Sequence, residues 1–74
     1  MARSTYIYIV ENPEAGAVLG AFTVKHECVR WLKYQRDHHY PLDIWTVTRV
    51  PDGQDFEYRD VLHVKASTYL EMNT

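Results

Sequence analysis

One stretch, Phe22 to Pro41 (FTVKHECVRWLKYQRDHHYP), holds the only cysteine, Cys28, and three of the four histidines, His26, His38 and His39. These are the residue types of metal centres and thiol nucleophiles, and their spacing decides what they can do. On a helix turning about 100° per residue, His26 and Cys28 point about 200° apart and cannot share an ion. Helical ligand pairs need a spacing of three or four. His38 and His39 are adjacent and diverge in the same way. A lone cysteine cannot complete a closed zinc site or form an intrachain disulfide. No metal and no cofactor are expected.

Nucleophilic catalysis needs a partly exposed thiol within hydrogen-bond reach of a base. Cys28 falls instead on an apolar stripe with Val24, Trp31 and Leu32, so burial and inertness are expected. His63, far along the chain, lies out of phase with the apolar side of its strand. Asp43, Asp55, Glu57 and Asp60 supply carboxylates, yet no spacing selects a pair for acid–base work. The three glycines are isolated and make no phosphate loop. The chain reads as a protein without catalytic residues.

The elements that must position these side chains follow from periodicity. Thr5 to Val10 (TYIYIV) is β-branched and aromatic, a strand. Turn formers in ENPEAG lead to a second strand, Ala17 to Thr23, which pairs with the first as a hairpin. Thr23 is the expected cap of a helix from Val24 that ends before HHYPLD, because Pro41 cannot continue it. Asp43 to Val50 (DIWTVTRV) is a third strand, and Pro51-Asp52-Gly53 a turn. The fourth strand is expected from about Phe56 to Lys65, with a bend near Asp60. The tail from Ser67 reads as a short helical turn or a frayed end.

The resulting fold class is α+β: one ββαββ domain over residues 1–74, its core at about 4–66, with a four-stranded, mainly antiparallel sheet in the order 2-1-3-4. One helix covers one face of that sheet. The other face must be polar, covered by the tail, or used against another molecule.

Composition agrees with a small folded domain. The chain has 74 residues, 46% of them hydrophobic and 24% charged, with ten aromatics to fill a small core. The lone thiol suits a reducing cytoplasm. No apolar run approaches the roughly 20 residues of a membrane span, and the opening MARSTYIYIV reads as a strand and not as a signal peptide.

Charge is polarised. From Val24 to Arg36 four basic residues (Lys25, Arg30, Lys33, Arg36) face one acidic residue, Glu27, a net of +3. The remaining four basic and nine acidic residues give −5, within a total of −2. A basic helix face can grip an acidic protein surface or, through counterion release, a phosphate backbone. It can equally be a solvated face whose long stems shield the helix. Nucleic-acid domains usually carry a basic net charge, so protein is the favoured partner class.

A second candidate surface is aromatic. Tyr6 and Tyr8 share one side of the first strand, and Ile7 and Ile9 the other. If the isoleucines meet the helix, the tyrosines stand on the open face, where they would stack bases, form a homodimer or partner interface, or simply pair across strands. A protein interface is favoured, because the acidic surroundings would repel phosphates.

The run YIYIVENPEAGAVLGAFTVKHECVRWLKYQ, followed by DIWTVTRVPDG, resembles the small single-helix proteins encoded in many phage and prophage genomes. Gly20, Phe22 and Thr23 stand at the Gly-x-Phe-Thr/Ser step that precedes the helix in that pattern. The resemblance implies a phage origin and action by binding, in some cases inhibiting, a host protein in the bacterial cytoplasm. It implies no catalytic residues.

Overall fold

The computed structural model describes residues 6–53 and 57–74. Four strands form one antiparallel sheet: β1 (Tyr6–Asn12), β2 (Ala17–Phe22), β3 (Thr46–Pro51) and β4 (Leu62–Lys65), in the order β2-β1-β3-β4. That is the expected order and fold class. Helix α1 (Lys25–Asp37) joins β2 to β3, which are parallel to each other and separated by β1, so the helix must cross over the sheet. A second helix, α2 (Ala66–Met72), follows β4 directly. No helix among the described residues is long and apolar enough to cross a membrane.

The β1–β2 turn depends on a glycine, since Gly16 sits at φ 63°, where a Cβ is disfavoured. One extra residue in β2, Leu19, forms a bulge opposite Val10 and Glu11. Register then carries one row of valines across the sheet, Val10 opposite Val47 and Val47 opposite Val64. Val10 and Val47 are fully buried, with Cys28 and Leu32 of α1 and Ala66, Tyr69 and Leu70 of α2 in the same core.

Several expectations need correction. The tyrosine side of β1 is the interior side: Tyr8 is only 6% exposed and Tyr6 packs against the core. Ile7 and Ile9, opposite Val50 and Thr48, lie on the uncovered side and are half-buried. Tyr8 meets Tyr69 of α2 with ring centroids 6.3 Å apart, so the phase is set by an aromatic contact with the second helix.

Helix α1 begins one residue later than its apolar stripe. Val24 is the N-cap, extended at φ −116° and ψ 120°, 44% exposed and without a side-chain cap. Its carbonyl accepts from the amides of Glu27 (3.2 Å) and Cys28 (3.3 Å). Thr23 is therefore not the cap. Trp31 is half-buried, flanked by Phe22 at 5.7 Å and Trp45 at 6.0 Å between ring centroids. The helix ends where expected, with His39 in the left-handed region at φ 63°.

Strand β3 starts at Thr46, later than Asp43, because Ile44 and Trp45 donate to the Pro41 carbonyl in a tight turn. Strand β4 starts at Leu62; a 3-10 turn, Tyr58–Asp60, takes the place of its expected first half, and Phe56 lies outside the described residues. The tail is neither frayed nor peripheral. Amides of Ala66 and Ser67 donate to the Trp45 and Leu42 carbonyls at 2.8 and 3.1 Å, and α2 extends the core to Leu70.

Candidate partner-binding surface

The chemistry-bearing residues are dispersed. Cys28 is fully buried, and loss of water around the thiol pushes it up to about 11, far from the thiolate a nucleophile requires. His63 lies on the opposite side of the sheet, its Nδ1 2.8 Å from the Thr48 hydroxyl oxygen. His38 stacks on Tyr34, with centroids 4.0 Å apart, and its Nδ1 lies 2.8 Å from the Tyr34 carbonyl oxygen. Among the carboxylates, Glu57 pairs with Arg59 at 2.9 Å and Asp60 accepts from the Glu57 amide at 2.9 Å. Asp43 is exposed in the turn before β3, and Asp55 lies outside the described residues. Among the described residues, no three His, Cys, Asp or Glu side chains come together in a way that could hold a metal ion.

The interior carries its own polar cost. Arg49 faces inward beside Tyr8, its guanidinium 4.5 Å from the Tyr6 ring centroid in a cation–π contact. Its Nε and the Tyr69 hydroxyl are buried without a hydrogen-bond partner among the described residues. Burial pushes Tyr69 up to about 12 and also raises Tyr8. These groups hold the sheet against α2. They do not form the tyrosine surface expected to meet a partner or a second copy.

The basic residues of α1 divide between two clefts. Lys25, His26, Arg30 and Lys33, with Val29 among them, line one side of a groove of about 630 Å³. Met72 and Asn73, at the end of α2, form its other side. Spacings of three and four place these α1 residues on one helical face. Among the described residues, no carboxylate lines the groove. The ion pairs among the described residues are Arg36–Asp37 and Arg59–Glu57, so Lys25, Arg30 and Lys33 have no acidic partner there.

Arg36 belongs to different surroundings. It borders a pocket of about 330 Å³ with Asp43, Glu71 and the apolar side chains of Leu42 and Leu70. Its Nε lies 3.4 Å from Asp37. The four-residue patch is thus three available cations and one that already has carboxylates nearby.

Two groove residues, Val29 and Met72, escape the reading of the sequence as charge alone. Val29 is legible as the apolar residue at the centre of Lys25–Val29–Lys33. Met72 could be found only by recognising the tail as a docked helix. Comparison of the chain with family models, curated proteins and solved structures returned no match.

Proposed function

We propose that this chain is a small phage-type binding module without chemistry of its own, acting by protein–protein contact in the host cytoplasm. Its working surface is the α1 groove, and its partner is an acidic surface of a host or phage protein, whose activity it modulates. The observation that carries this reading is the convergence of Lys25, Arg30 and Lys33, free of acidic partners among the described residues, on a groove without carboxylates. Unpaired cations on a helix lose little solvation when they meet an acidic rim, and they speed encounter with it.

The same cations favour a second reading, a nucleic-acid-binding regulator that grips a phosphate backbone. The net charge of −2 weighs against it. Salt separates the two, because a phosphate-driven complex weakens steeply as salt rises.

The test is capture from host lysate by wild-type protein and by an Arg30→Glu, Lys33→Glu variant. A specific partner retained by the wild type and lost by the variant, at unchanged melting temperature, supports the proposal. Equal retention by both removes the groove from consideration.

A further inference from the structure

We infer that the segment recognised by the groove is acidic and carries one central aliphatic side chain, seated between Val29 and Met72. This inference rests on the partner-binding reading and adds the chemistry of the partner. Met72 is 59% exposed at the end of α2, and its unbranched side chain is flexible and adaptable. Met72 and Val29 line the same groove as Lys25, Arg30 and Lys33. A groove that combines apolar side chains with basic ones has the mixed make-up of a protein interface, which joins apolar and polar parts.

Charge complementarity defines the occupant. A segment of Glu or Asp residues meets three cations and no opposing carboxylate, and its aliphatic residue removes Met72 from water. A nucleic acid would use the cations but not the apolar side chains, since among the described residues no Phe, Tyr or Trp lines the groove to stack a base.

The experiment titrates labelled peptides into the full chain at low salt: a short Glu/Ser peptide with one central leucine, and the same peptide with serine in its place. The leucine peptide is expected to bind roughly fivefold tighter, the fold-change for partial burial of one aliphatic side chain. Met72→Gln should erase that difference; Met72 is exposed, and a thermal melt checks that the variant is folded. Arg30→Glu with Lys33→Glu should abolish binding of both peptides.

Equal affinity of the two peptides for the wild type, or a difference that persists in Met72→Gln, overturns the aliphatic anchor and leaves the electrostatic reading standing. If neither peptide binds and an oligothymidylate strand does, with steep salt dependence, both the anchor and the protein-partner reading fall. If none of the three probes binds, the groove is not a binding surface and both fall.

Discussion

The groove around Lys25, Arg30 and Lys33 and the pocket around Arg36 lie on successive turns of the same helix, and α2 helps to wall both. Both pair basic side chains with an apolar floor. They differ in their acids: Asp43 and Glu71 line the Arg36 pocket, and Asp37 is bonded to Arg36 itself, whereas among the described residues the groove has no carboxylate. A cation that is satisfied within its own chain has little to offer a partner. Counting basic residues along α1 therefore overstates the proposed binding surface, and the fold decides which of them are available.

The largest expected effect tests the wall that both clefts share. Leu70→Ala empties a buried position of α2 and should cost about 2–5 kcal/mol, read by denaturant unfolding. A loss below about 0.5 kcal/mol would mean that α2 is not docked as described and that neither cleft exists in solution.

Next comes the contrast in charge. Arg30→Glu with Lys33→Glu should weaken an acidic partner roughly tenfold to a hundredfold with little change in melting temperature, because both side chains are exposed. Salt should weaken the wild-type complex in the same direction.

Alkali acts on the core beneath both clefts. A group whose pKa is raised on folding contributes stability that is complete below its unfolded value and is lost as pH rises through its folded value. Cys28 moves from 9.0 up to about 11, and Tyr69 from 10.0 up to about 12. The melting temperature should therefore hold up to about pH 9 and fall progressively above it, with Cys28→Ala delaying the onset. A flat profile to pH 11 would mean that the thiol is not buried. The smallest effect is expected at Arg36→Glu, less than about twofold in partner affinity, since that side chain already faces carboxylates.

Much of the fold is legible in the sequence. The strand and helix order follows from β-branched runs, turn formers and the Pro41 stop, and the sheet order follows from keeping consecutive elements adjacent. The side of β1 that faces inward is harder, because tyrosine and isoleucine are both plausible in a core. The deciding residues lie two positions further on: Val10 continues the tyrosine phase and Glu11 the isoleucine phase, so extending the alternation points to the observed side.

For the tail, the sequence leaves the choice between a short helical turn and a frayed end undecided for another reason. Ala66, Tyr69 and Leu70 have helical spacing, but a seven-residue helix is unstable alone and exists here because tertiary packing holds it. Since α2 supplies Met72, the candidate groove is only half legible: its cations can be read from α1, while its apolar wall depends on a docking event between distant segments. The placing of Arg36 in another pocket is equally a matter of tertiary neighbours, because Glu71, which lines that pocket with it, is remote in sequence from α1.

The most direct measurement is a side-by-side titration of the leucine-bearing acidic peptide into the wild type, the Arg30→Glu/Lys33→Glu variant and Arg36→Glu. Binding by the wild type and by Arg36→Glu, with loss in the double variant, is the predicted result. Equal binding by all three proteins, or an equal loss in Arg36→Glu, would contradict the claim that the carboxylate-free groove is the working surface.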